Sequence, residues 1–221
     1  MRVGVIQSNY IPWRGYFDFI KSVDLFVIHD DIQYTKQDWR NRNKIKISNG
    51  QTKWMTVPVY YKTVNQLICD TKIDYSTNWR KDHISKMEAN YYCTPWFKDA
   101  MRILVQAFAF HSETISELNV ALIRAVMSYY GIQTSLEMSS KYDLKGNKTD
   151  RLIDLLNKVG ATEYVSGPAA KNYLEEDKFD KNGIKLEYKK YDYPPYQQPW
   201  GDFQGAVTVL DTIANCGRRM I

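Results

Sequence analysis

Two carboxylates, Asp30 and Asp31, follow directly on the apolar run Leu25-Phe26-Val27-Ile28. Adjacent carboxylates at the end of a buried strand can hold a magnesium ion, orient a base or bind hydroxyls. One of the two can equally cap the turn that follows. The next segment carries Lys36, Arg40, Arg42, Lys44 and Lys46 against Asp38 alone, with Tyr34 and Trp39 interleaved. Arginine forks beside the amides of Asn41 and Asn43 suit phosphate or carboxylate recognition. The same composition describes single-stranded nucleic-acid binding, where bases stack on aromatic rings. A solvated strand face is the plainer reading, and it fits Lys44 and Lys46, alternate residues of one strand. Far along the chain, Ser166-Gly167-Pro168-Ala169-Ala170-Lys171-Asn172-Tyr173-Leu174 places Ser, Gly and Lys in a turn after a strand. Such turns commonly hold a phosphate, although the P-loop spacing is absent. Gly15 sits where the first loop becomes a helix, either letting backbone approach a ligand or relieving a tight turn. No G-x-S-x-G motif occurs, and the three histidines suggest no local pairing, which argues against a Ser/His/Asp triad. His111 is expected at the surface or at a cap.

These residues need strands to carry them. Val3-Gly4-Val5-Ile6 and Leu25 to Ile28 are two short apolar runs joined by eighteen residues that turn helical in their second half. That is a βαβ unit, in which ligands bind beyond the carboxyl ends of the strands. Lys44 to Ile47 and Trp54 to Tyr60 flank Asn49-Gly50, the signature of a hairpin with a type I′ turn, and Pro58 belongs on an edge. Residues 78–130 read as helical, with the capping-box pattern Thr114-Ile115-Ser116-Glu117 opening the last helix and Gly131 closing it. The α/β alternation resumes with strands at 132–137, 164–166 and 184–188 and a helix at 150–159. Tyr193 to Trp200 holds three prolines and must pack as a loop, and 207–214 is a final helix. The expected fold is α/β: a mostly parallel Rossmann-like sheet with an inserted β-hairpin at about 43–61 and a central helical segment at about 78–130. One domain over 1–221 is expected from the length.

Composition narrows the function. With 44% hydrophobic residues a real core is available, and seventeen Tyr and six Trp are an excess that polar ligand pockets often use. A net charge of +5 permits an acidic partner without demanding one. Cys69, Cys93 and Cys216 share no metal-site spacing, so no metal is expected. No apolar run approaches the roughly eighteen residues of a membrane span, and a cytoplasmic location without membrane insertion is expected.

Together the motifs resemble the WbqC-like family of bacterial proteins. They are Gln7-Ser8-Asn9-Tyr10-Ile11-Pro12-Trp13-Arg14-Gly15-Tyr16-Phe17, Asp30-Asp31-Ile32-Gln33-Tyr34, Trp39-Arg40-Asn41-Arg42-Asn43, Asp150-Arg151-Leu152-Ile153 and the 164–174 block. The family usually has Pro where this chain has Ser8. The resemblance implies a place in O-antigen and related surface-glycan pathways. A weaker similarity links strand, Pro, Gly-Tyr, helix and Asp to the nucleotidyltransferase and pantothenate-synthetase superfamily. Its His-x-Gly-His motif corresponds here to Trp13-Arg14-Gly15-Tyr16, which keeps the glycine and lacks both histidines.

The function these readings imply is acyl or aminoacyl transfer to the amine of a nucleotide-linked amino sugar. Amide formation needs an activated carboxyl, a deprotonated amine and donors for the oxyanion. Asp30 or Asp31 would orient or deprotonate the amine. Arg40, Arg42 and Lys171 would meet diphosphate or acyl-phosphate oxygens. Asn41 and Asn43 would donate hydrogen bonds, and Tyr10 and Trp39 would be ring platforms. Gln7, Arg14, Gly15, Tyr16, Gln33, Tyr34, Ser166, Gly167 and Tyr173 complete the expected binding set, with Tyr10, Gly15, Asp31, Arg40, Arg42, Asn43, Ser166 and Lys171 converging on one cleft. The cofactor stays open, with ATP or another activated acyl donor both compatible. The alternatives are a nucleotide-dependent carboxylate–amine ligase and a non-catalytic module for nucleic acid or a sugar nucleotide.

Overall fold

The computed structural model describes residues 1–219. Its strands are β1 (Arg2–Ile6), β2 (Leu25–Ile28), β3 (Arg42–Lys46), β4 (Thr52–Thr56), β5 (Ser135–Met138), β6 (Glu163–Ser166) and β7 (Lys185–Tyr188). Its helices are α1 (Arg14–Lys21), α2 (Trp79–Tyr91), α3 (Phe97–Ala109), α4 (Ile115–Tyr130), α5 (Lys148–Lys158), α6 (Glu176–Lys181) and α7 (Val209–Cys216). None of the described helices is long and apolar enough to cross a membrane.

The backbone falls into two compact units. The first comprises 1–7, 18–31 and 133–192 and holds a five-stranded sheet in the order β5-β2-β1-β6-β7, every pairing parallel. β1 is therefore central, as its apolar run predicts: a parallel strand covered on both faces cannot alternate with polar residues. Val3, Val5, Leu25 and Val27 pack with Leu152, Leu155 and Leu156 of α5 and with Tyr164, Phe179 and Ile184. The rings of Tyr164 and Phe179 stack at 5.6 Å. Read by chain order, these five strands run third, second, first, fourth, fifth, so the direction of winding reverses between β1 and β6. In such sheets that reversal is where ligands enter, at the carboxyl edge.

The second unit comprises 8–17, 32–132 and 193–221. Its described part carries the antiparallel hairpin β3–β4 and a helical group in which α3 packs on α2, α4 and α7. The predicted capping box is present: Thr114 accepts from the Glu117 amide and Glu117 reaches back. Gly131 ends α4 in the left-handed region. The hairpin turn differs from the expected type I′. Gly50 donates its amide to Ile47 O and has φ +82°, while Asn49 keeps a negative φ. With Gln51 O accepting from the Ile47 amide, this is a three-residue connection whose last residue alone is left-handed. β4 also stops at Thr56, and Val59 pairs singly with Ile73.

Candidate active site

In the first unit the carboxyl edge of the sheet gathers polar side chains where the apolar runs of β1 and β2 stop. Gln7 follows β1, and His29, Asp30 and Asp31 follow β2. Asp30 is buried. Asp31 accepts from Arg151 of α5 at 2.6 Å and from the Ser139 hydroxyl, which lies in the single helical turn Ser139–Lys141 after β5. His29 Nε2 lies 3.6 Å from Asp31 Oδ1. Burial works to raise the Asp31 carboxyl, but the Ser139 hydroxyl, His29 and Arg151 together outweigh it and hold it below the ordinary carboxylate value. Burial pushes His29 down, with Arg151 adding to it against the pull of Asp31 and Asp30.

At the end of β6, Ser166 is buried and accepts from the Tyr164 hydroxyl at 3.2 Å. Gly167 stands in open space, where an added side chain would meet nothing within 4 Å. The short turn Pro168–Asn172 then leaves Lys171 exposed, followed by Tyr173 at 71% exposure. Tyr188 at the end of β7 donates to Glu176 at 2.8 Å, and Lys189 pairs with Asp18 at 2.9 Å.

In the second unit the motif residues hold one another. The Tyr10 amide donates to Trp39 O at 2.9 Å. Asn43 Nδ2 donates to Tyr10 O at 3.1 Å and to Ile11 O at 2.7 Å. Arg40 donates to Asn9, and Asn119 bridges Ser8 Oγ at 3.1 Å and Arg40 O at 2.8 Å. These contacts over-determine Ile11, a β-branched residue held at φ +41°. Asn41 Nδ2 donates to Val57 O at 2.8 Å. The Asn41 and Asn43 amide nitrogens, expected as donors to substrate, are thus engaged with backbone carbonyls.

Several other expected binding residues are embedded. Tyr10 is fully buried, its hydroxyl 2.8 Å from His83 Nδ1. Arg14 is buried, donating to Pro194 O at 2.9 Å with its guanidinium over the rings of Tyr193 and Tyr196. That pairing explains why the proline-rich loop packs. Tyr16 and Tyr34 are buried, and the space beside Gly15 is taken by the Trp13 ring.

Gln33, Trp39 and Lys36 are exposed, and Arg40 and Arg42 are half-buried. Arg42 lies 4.1 Å from the Trp54 ring centre, Lys44 Nζ lies 4.9 Å from it, and the Trp39 and Trp54 rings are 5.3 Å apart. Lys36 Nζ sits 4.1 Å from the Tyr61 ring centre. Lys46 overturns an expectation: it is buried, with Nζ donating to Gly201 O at 2.9 Å and Asp202 O at 2.6 Å.

Sequence reasoning passed over His29, Ser139 and Arg151. The first was dismissed with the other histidines, yet it stands two residues from Asp31, and His83 also has a partner in Tyr10. Arg151 lay inside a recognised motif, where its charge beside a helix start was the available signal. Ser139 had none. His111 is exposed, as expected.

The WbqC-like family model matches residues 7–221. The chain belongs to the WbqC-like protein family. An uncharacterized protein of Mycobacterium tuberculosis (strain ATCC 25618 / H37Rv) is 47% identical to it over 219 residues, covering 98% of this chain and 94% of that relative. No solved structure matches the chain. For this WbqC-like protein the family match takes in both the edge residues after β2 and β6 and the interlocked 8–43 segments.

Proposed function

We propose that this protein forms an amide by transferring an acyl or aminoacyl group to the amine of a nucleotide-linked amino sugar. The observation that carries the reading is the carboxyl edge of the parallel sheet. Gln7, Asp30, Asp31 and Gly167 follow strands that end there, and Ser166 is the last residue of β6, at and beside the reversal of winding between β1 and β6. Asp31, ionised and partly accessible, suits an amine that must be oriented for attack. The open glycine turn with Lys171 after it suits phosphoryl or acyl-phosphate oxygens. ATP-dependent activation of the carboxylate in the same protein is the ligase form of this reading.

The test is direct. UDP-glucosamine is incubated with the protein and either acyl-coenzyme A donors or ATP with amino acids, and products are read by mass spectrometry. The expected product gains one acyl or aminoacyl group on the amine, and Asp31→Asn reduces its formation at least tenfold. Absence of product with every donor, together with absence of UDP-glucosamine binding, overturns the proposal.

The cationic ring face formed by Trp39, Trp54, Arg42 and Lys44 favours a second reading, a binding surface for single-stranded nucleic acid. Binding through several phosphates would weaken tenfold or more over a modest rise in salt. An affinity for oligonucleotides that is absent at low salt removes this reading.

A further inference from the structure

The carboxyl edge of the sheet contains an imidazole with no role in the residues assigned so far. His29 follows β2 directly, and its backbone amide donates to Ile6 O at 3.0 Å. Its Nε2 is sealed from solvent and makes no hydrogen bond. That atom faces Asp31 Oδ1 at 3.6 Å. Asp31 is held from two further places in the chain, by the Ser139 hydroxyl on Oδ1 and by Arg151 on Oδ2 at 2.6 Å. A carboxylate with both oxygens engaged is a weak proton acceptor, because accepting a proton means giving up charge-assisted bonds. It is well suited to orient a neighbouring ring.

We propose that His29 is the proton acceptor of this site, its Nε2–H turned to Asp31 and its Nδ1 presented to the attacking amine. The inference rests on the amide-forming reading above. In the step, the amine nitrogen bonds to the carbonyl carbon of a thioester or acyl phosphate. The bond from that carbon to sulfur or phosphate oxygen breaks and leaves with its electron pair. The proton shed by nitrogen goes to His29 Nδ1 and from there to the leaving group. Asp31 stabilises the imidazolium while it lasts, as an acidic partner does for a histidine base in general. Arg151 and Ser139 are positioning residues: they act through Asp31.

The charged groups facing His29 are Asp30 and Asp31 beside it in the chain and Arg151 from α5, with the neutral Ser139 hydroxyl behind Asp31. Burial and Arg151 favour the neutral ring over the opposing carboxylates, so the base is in its working form at neutral pH.

The first experiment needs no substrate. Long-range proton–nitrogen NMR of the free protein should show His29 carrying its proton on Nε2, with a titration midpoint below the ordinary histidine value. Asp31→Asn should shift the ring toward the Nδ1–H form. A wild-type ring protonated on Nδ1, or a ring unchanged by Asp31→Asn, overturns the proposal. The second experiment uses UDP-glucosamine with the donor that gives product. His29→Gln, shown folded by circular dichroism, should lower kcat by about 10²–10⁴-fold with KM little altered and remove the acid limb of the pH profile. Product formed by His29→Gln at the wild-type rate sinks the histidine's role and leaves the amide reading standing. The expected tautomer without product from any donor does the reverse, supporting the oriented ring and defeating the amide reading.

Discussion

Tyr10 and His83 form a buried pair, with the Tyr10 hydroxyl 2.8 Å from His83 Nδ1. Burial drives His83 down to about 4, Lys86 adds to this, and Asp82 and the Thr56 carbonyl oppose it. A histidine whose folded value lies below its unfolded value of about 6.5 contributes stability that is complete above that value and declines toward pH 4. The loss by pH 4 is about 3 kcal/mol at 1.36 kcal/mol per unit. Asp211, raised by burial, contributes in the opposite sense, so the comparison must be with His83→Gln. Urea unfolding between pH 6.5 and 4 should show a flatter pH dependence in that variant, and parallel curves would refute the assignment. Lys46 and Arg42 make a second pair of expectations. Lys46→Ala empties the space of a buried side chain and removes its two charge-assisted bonds to the 201–202 carbonyls, and should cost about 2–3 kcal/mol in urea unfolding. Arg42→Ala loses a half-exposed ring contact and should cost about 1 kcal/mol or less. The opposite order would show that Nζ is not buried in solution. Alternation does place Lys44 and Lys46 on one strand face, but what covers Lys46 is the 201–202 backbone, 155 residues away. Nothing local announces such a cover.

Elements were more legible than the contacts between their ends. The central β1, the helices of 79–130 and the Thr114 cap follow from apolar period and capping chemistry, which are local. The turn at Gly50 was legible as a hairpin and misread in type, because Asn-Gly is compatible with more than one loop length. The interlock of Asn43 and Asn119 with the Ser8–Ile11 loop was hidden, being made by side chains reaching across 32 to 111 residues. The predicted role of Gly15 separates at this scale. A Cβ there would run into the Trp13 ring, so Gly15→Ala should destabilise by about 1–3 kcal/mol and alter Trp fluorescence. Thr114→Ala loses a cap on a long, well-packed helix and should cost about 1 kcal/mol. Thermal unfolding of the two variants distinguishes them, and a Gly15→Ala protein as stable as wild type would show that the ring moves aside freely.

At the scale of the whole chain, the sheet is assembled from three separated stretches of sequence. Its centre should be its most protected part: amides of β1, β2 and β6 should exchange more slowly than those of the edge strands β5 and β7. Hydrogen exchange read by mass spectrometry would contradict the strand order if an edge strand were slowest. The parallel order itself was foreseeable, since continuous apolar runs separated by helices leave few alternatives. The pairing of Arg2 with Glu163 has a further consequence, for the ribosome. At about 5–20 residues per second, one side of β1 waits some 8–30 seconds for β6 to be made. Throughout that interval a short apolar strand offers a bare row of amides and carbonyls to any other nascent chain. Arg2 is the charge at the start of that row, and in the finished sheet it is claimed by Glu163 and Glu187. Until those acids arrive, its charge deters edge-to-edge association, and a neutral residue in its place would make early aggregation during synthesis the weak point of this protein.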